Sequence, residues 1–255
     1  MQKIKLQLIF PTLLLCVLAA AAGCITGALT AGFGRVLLWI GTFRTEHLIS
    51  CVPFLPIAGV CMVWIYQKYG RESSQGMSLI FDAADGTAKR ISFRLIPLLI
   101  GSTWLTHLCG GSAGREGAAL QLGGSVGSML GRVFRLAERD KQVLMLCGMS
   151  AAFSAIFRTP IAAPVFAMEV VCVGAMRYAA LVPCTIASLT ASWLAGKCGI
   201  PLAKYTIGEI PAFQVVPALK ILLLGVCCAA VSILFCVLLH QTEHFLKKYC
   251  KNPYL

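Results

Sequence analysis

GGSAGREGAALQLGG, Gly110 to Gly124, sets two opposite charges, Arg115 and Glu116, among glycines and alanines. Apolar sequence surrounds it: ISFRLIPLLIGSTWLTHL, Ile91 to Leu108, leads in, and AALQLGGSVGSMLGRVF, Ala118 to Phe134, leads out. Ionisable side chains are costly inside a membrane segment and mark ion or proton paths there far more often than in water. Gly114 and Gly117 flank the doublet and let backbone approach a ligand with no Cβ in the way. A helix starting at this point aims free N–H groups and the positive end of its dipole at an anion. A blander reading is that Glu116 caps the helix and Arg115 pairs with a nearby acid.

Composition places this stretch in a membrane. The 255 residues are 58% hydrophobic and 13% charged, with a mean hydropathy of +0.81; soluble domains carry about 25% charged residues. Several apolar runs reach or approach the roughly 20 residues of a helical crossing, and the period-two alternation of a membrane barrel is missing. The formal charge of +12 would suggest nucleic acid in a soluble chain. Here the basic residues sit at the ends of apolar runs, as in Lys68 and Arg71 or Arg132 to Lys141, which suits topology signals and lipid headgroups and excludes a nucleic-acid partner. Lys5 and the Lys247–Lys248 pair predict both termini in the cytoplasm, in a multi-pass protein of the cell membrane. Of 13 cysteines none forms a CxxC pair, so they read as small apolar packing residues with no metal or other cofactor. Cys24 sits in a signal-peptide-like start, yet the apolar run continues past it through ITGALTAGF, which predicts a retained first helix.

Along the chain, residues ~6–41 form one long apolar stretch that would cross at a strong tilt, ended by the polar TFRTEH, Thr42 to His47. A second span is expected over ~48–66, and MSLIFDA, Met77 to Ala83, is too short to cross. After the glycine-rich segment come apolar pieces at 143–157 and 160–176, a span at ~178–196 and a last helix over ~215–246. Helices this short or broken are tolerated in membranes where backbone is buried in protein or lines a polar cavity, the arrangement in which transporters place ion sites. The spaced small residues Gly23/Gly27, Gly123/Gly127/Gly131 and Ala151/Ala155 predict close helix packing.

A second helix start has similar chemistry: SSQGM, Ser73 to Met77, precedes the short apolar helix. Two such starts aimed at one point would hold an anion without a full lysine charge, and so could release it. Glu116 could then occupy the site itself when ionised and swing away when protonated, gating the path and carrying a proton. His107 is the one histidine inside a span and is read as a packing residue with a proton-path role as the alternative. HQTEH, His240 to His244, fits the H-x-x-E-H zinc-peptidase pattern, but a further ligand normally lies well downstream and a polar helix end explains it more simply. GREGAAL lacks the Lys-Ser/Thr of a phosphate-binding loop. The chain is not read as an enzyme.

GSAGREGAALQLGGSVGSMLGRVF resembles the GREGP-type signature of the CLC family of anion channels and proton-coupled antiporters, and AAFSAIFRTPIAAPVFAMEV, Ala151 to Val170, is similar to that family's AAxFNAPLAGxLFxxEE helix. The resemblance implies an all-α polytopic membrane fold with tilted, broken and re-entrant helices. Gly76 and Met77 would form the inner part of an anion site, and Arg115 and Gly117 would shape the outer helix start. Three departures matter. SSQGMSL stands where chloride-selective relatives carry GSGIP, and the position after GREG is Ala118 in place of proline; both features resemble the fluoride-exporting branch, with fluoride or chloride and protons as transported partners. The acid pair closing the second motif reads Glu169-Val170, so only the first acid is present and Glu169 is a weak proton-path candidate. Finally, residues of about 1–200 resemble the first of the family's two inverted repeats and about 205–255 the opening helix of the second, so the chain is expected to be a fragment, or to need a homodimeric partner or a second polypeptide for the missing half. A half-subunit acting only as an interaction partner or remnant is the alternative of another class.

Overall fold

The computed structural model describes residues 2–70, 76–86, 91–171, 174, 176–201 and 214–249, with side chains from residue 12 onward except at 243 and 247. Ser73 to Gln75, part of the second expected helix start, and the C-terminal Lys251 lie outside them. The described residues contain helices and no strand. In order these are α1 (Gln2–Glu46), α2 (Leu48–Cys51), a 3-10 turn (Val52–Phe54), α3 (Leu55–Tyr69), α4 (Met77–Asp85), α5 (Leu95–Leu108), α6 (Arg115–Val133), α7 (Glu138–Phe157), α8 (Ala162–Val171), a 3-10 turn (Tyr178–Ala180), α9 (Leu181–Lys197) and α10 (Val215–Tyr249). The chain divides into two compact units, Met1–Ala203 with α1 to α9 and Lys204–Leu255 with α10.

Among the described residues four segments are long and apolar enough to cross a membrane: Thr12–Glu46, Leu48–Tyr69, Tyr178–Lys197 and Val215–Leu246. By contrast α4, with 9 residues, and α8, with 10, extend only about 14 Å and 15 Å at 1.5 Å per residue, half of the hydrocarbon thickness. Neither is long enough to cross a membrane by itself.

TFRTEH closes the first apolar stretch, and α1 runs on within it as far as Glu46. The polar side chains are absorbed by the helix itself: Thr42 Oγ1 donates to Trp39 O at 2.8 Å and Thr45 Oγ1 to Thr42 O at 2.7 Å. Arg44 reaches across to donate to the His107 carbonyl at 3.4 Å. The second span also starts less regularly than a single helix, because Pro53 and Pro56 divide it into α2, the 3-10 turn and α3.

The core of the first unit is a helix stack built on small residues. A Cβ on Gly123, Gly127 or Gly148 would overlap backbone of the facing helix, so α6 and α7 meet backbone to backbone along this seam. A Cβ on Gly27 of α1 would lie 2.8 Å from Ala191 Cα of α9, giving a second seam of the same type. Without a hydrophobic driving force between helices in lipid, such close approach gains dispersion energy and leaves room for polar links. Two of these join α7 to α9: Ser150 Oγ donates to Cys184 O at 3.3 Å and Ser154 Oγ to Ser188 O at 2.9 Å. The spaced glycines noted in the sequence thus hold α6, the helix of the charged doublet, against the rest of the unit.

Candidate anion site

Each of the two expected helix starts is a glycine followed by a helix with no side-chain hydrogen bond capping its N-terminus. A helix leaves its first four N–H groups without intrahelical partners, and side-chain caps usually satisfy some of them. At α4 the preceding Gly76 has φ 63° and ψ −133°, a conformation that L side chains rarely adopt. At α6 the preceding Gly114 is extended, with φ −72° and ψ 138°.

The two starts converge. A Cβ placed on Gly117, in the first turn of α6, would lie 3.7 Å from Met77 Cγ and 3.8 Å from Met77 Sδ. The thioether of the first residue of α4 therefore packs against the glycine face of the α6 start. Behind this contact Gly124 receives Ile80, whose Cγ2 would lie 2.7 Å from an added Cβ, so the two short-range contacts fix α4 along α6.

Glu116 curls back over its own helix start. Its Oε2 lies 2.9 Å from the position that a Cβ on Gly114 would take. Its Oε1 is 3.8 Å from Arg115 Nε, and both side chains are about half exposed, at 49% and 43%. An ion pair this long and this exposed contributes about 0–1 kcal/mol, so Arg115 does not lock the carboxylate. Gly114, the residue before α6, has no side chain with which to cap it, and Glu116 is the acid of its first turn. Arg115 turns towards a cavity of about 180 Å³ that it lines with Thr30, Gly34, Phe157 and Ile200.

The two proton-path candidates are engaged elsewhere. His107 Nδ1 bonds the Thr103 carbonyl at 2.8 Å within α5, as a packed helical histidine does. Glu169, near the end of α8, accepts the Gly174 N–H at 3.0 Å and so holds the turn after α8. Among the described residues, neither bonds to Met77 or Gly117.

The structure also brings in a residue that the sequence did not single out. Arg177 donates to Ala84 O at 3.1 Å and to Gln142 Oε1 at 2.6 Å through Nη1, and to Asp85 Oδ1 at 2.9 Å through Nη2. It joins the far end of α4 to α7. Nothing in the local sequence marks it, since its partners lie 93, 35 and 92 positions away.

A bundle of tilted and half-length helices, with two uncapped helix starts meeting inside it, defines a multi-pass membrane protein of the anion-channel and transporter class. The family described as voltage gated chloride channel matches residues 58–255, and the chain belongs to that family. A curated relative, the chloride/fluoride channel protein of Pseudomonas syringae pv. tomato, is 34% identical over 233 residues, covering 90% of this chain and 51% of the relative. The H(+)/Cl(-) exchange transporter ClcA of Citrobacter koseri is 26% identical over 59% of this chain and 35% of its own length. Among solved structures, a CLC-type fluoride/proton antiporter superposes with a TM-score of 0.91 at 38% identity, covering 96% of this chain and 62% of that one. A slow cyanobacterial Cl-/H+ antiporter superposes at 0.80 with 19% identity, which supports the shared fold alone. The chain thus spans about half the length of the Pseudomonas relative, and the all-α CLC fold expected from the sequence is the fold observed.

Proposed function

We propose that this chain carries out anion transport across the membrane, exporting fluoride in exchange for protons, with Glu116 as gate and proton carrier. The observation that carries the reading is the meeting of two uncapped helix starts at the Met77–Gly117 contact, with the Glu116 carboxylate folded over one of them. An anion at that point faces N–H groups and the positive ends of two helix dipoles, without a lysine to trap it. An ionised Glu116 competes for the same field as an anion. Protonation removes its charge and its claim on the site, so a proton taken up by Glu116 lets an anion enter, and anion departure favours return of the carboxylate.

Gly76 and Met77 form the inner side of this site; Arg115 and Gly117 shape the outer side. Arg115 contributes potential and a wetted entrance, and the bare face of Gly117 admits the thioether. Met77 offers no hydroxyl donor at the start of α4, which sets it apart from a serine-lined site. The solved fluoride/proton antiporter supports fluoride, and the chloride/fluoride relative is consistent with either anion. The ClcA relative supports the second reading, chloride as substrate, by channel or exchange. We assign the first repeat to residues of about 1–200 and the opening helix of the second to about 205–255, with both termini cytoplasmic.

Flux from proteoliposomes separates the readings. Fluoride efflux driven by an inward proton gradient and lost in Glu116→Gln supports exchange. Anion flux that the proton gradient cannot drive supports a channel, and no flux from folded protein supports the non-transporting half-subunit.

A further inference from the structure

The two ends of α4 are treated unequally. Its first turn is uncapped, whereas its last turn is held by Arg177, whose guanidinium donates to the Ala84 carbonyl and to the Asp85 carboxylate. The same guanidinium donates to Gln142 Oε1 on α7 at 2.6 Å. Gln142 also packs against the left-handed Gly86 that closes α4, leaving no room for a Cβ there. Arg177, Gln142 and Gly86 form a three-part brace between α4 and α7.

We propose that Arg177 is a positioning residue for the anion site, setting anion preference through the axis and dipole of α4. This rests on the fluoride-transport reading above. The last four carbonyls of a helix lack intrahelical partners and carry its negative end. Arg177 satisfies one of them at Ala84 and places positive charge beside that end, so the negative pole is offset while the glycine-led start at Gly76–Met77 carries no side-chain cap from its N-cap residue. Asp85 balances the net charge, which confines the effect to the dipole and the geometry. The ion pair is part exposed, at 34% and 47%, and contributes little alone; the carbonyl and the Gln142 bond make the brace directional.

The lever is short and stiff. Nine residues span about 14 Å, so a tilt of roughly 5° about the buried Leu79 and Ile80 moves the Met77 backbone by about a third of an ångström. Met77 Cγ and Sδ lie 3.7 and 3.8 Å from where a Cβ on Gly117 would be, and close packing responds to shifts of a few tenths of an ångström. A lysine at position 177 keeps the charge and loses the fork that reaches a carbonyl, an amide and a carboxylate together.

The test uses the full chain in lipid, as wild type, Arg177→Lys and Arg177→Gln, with two readouts. The first is the fluoride-to-chloride ratio of efflux and its split between half-saturating concentration and maximal rate. The second is amide hydrogen exchange over α4, with α9 as internal control. Arg177→Gln is expected to lower the fluoride-to-chloride ratio about fivefold, mainly through half-saturation, and to speed exchange in α4 about tenfold with α9 unchanged. Arg177→Lys is expected to recover part of the exchange protection and part of the ratio. Faster α4 exchange with an unchanged ratio overturns the proposal by making the brace merely structural, and unchanged exchange overturns it outright. A wild-type chain with no fluoride flux overturns the transport reading instead, while the exchange readout still decides whether Arg177 orders α4.

Discussion

The two helix starts that meet at Met77 and Gly117 solve the same problem differently. At α4 the preceding glycine has a positive φ and, among the described residues, nothing within 4 Å of the place where a Cβ would go. At α6 the preceding glycine is extended and its missing Cβ makes room for the Glu116 carboxylate. Gly76 is needed for its backbone, Gly114 for its space. The α4 start is uncharged, whereas the α6 start carries the Glu116 carboxylate. On the function proposed above, the first is the constant wall of the site and the second the moving one.

Substitutions can break or sharpen that contrast. The largest effect is expected where both starts depend on the α6–α7 seam: Gly127→Leu forces a side chain into the backbone of α7 and should cost about 3 kcal/mol or more, measured as loss of folded protein in detergent unfolding. Next is Gly76→Ala, which meets no neighbour but must hold a disfavoured conformation, at about 1–3 kcal/mol; its unfolding midpoint should fall although no contact is added. Met77→Ser supplies a hydroxyl to the constant wall and should move the fluoride-to-chloride flux ratio towards chloride by about tenfold, or about 1.4 kcal/mol. Smallest in stability is Gly114→Ala: its φ and ψ suit alanine, so unfolding should change by about 0.5 kcal/mol or less. The displaced carboxylate should nevertheless raise anion leak that no proton gradient drives. If Gly76→Ala and Gly114→Ala behave alike in both assays, the distinction between a fixed and a movable wall is wrong.

Much of this was legible in the sequence because it rests on local pattern. The GREG and QGM stretches marked both helix starts, and the spacing of Gly123 and Gly127 foretold a close seam, since only small residues permit it. Short α4 and α8 followed from the length of their apolar runs. Two features were hidden for physical reasons. The extension of α1 to Glu46 depends on threonine hydroxyls bonding back to their own helix, which polarity alone does not announce. Arg177 bonds partners far away in the sequence, so its contacts emerge only when α4 and α7 are brought to it.

Glu169 illustrates a limit of motif reading. Its place in the second motif made it a weak candidate for proton transfer, while the structure employs its carboxylate to receive the Gly174 N–H. That bond ties Glu169 to the backbone just after α8.

The central claim is that the Glu116 carboxylate is the moving wall. It is tested most directly by fluoride efflux from proteoliposomes holding the purified 255-residue chain, with and without an inward proton gradient, beside Glu116→Gln. The account predicts gradient-driven fluoride efflux from the wild-type chain and its loss, by at least about tenfold, in the variant. Equal gradient-driven efflux from both would contradict it.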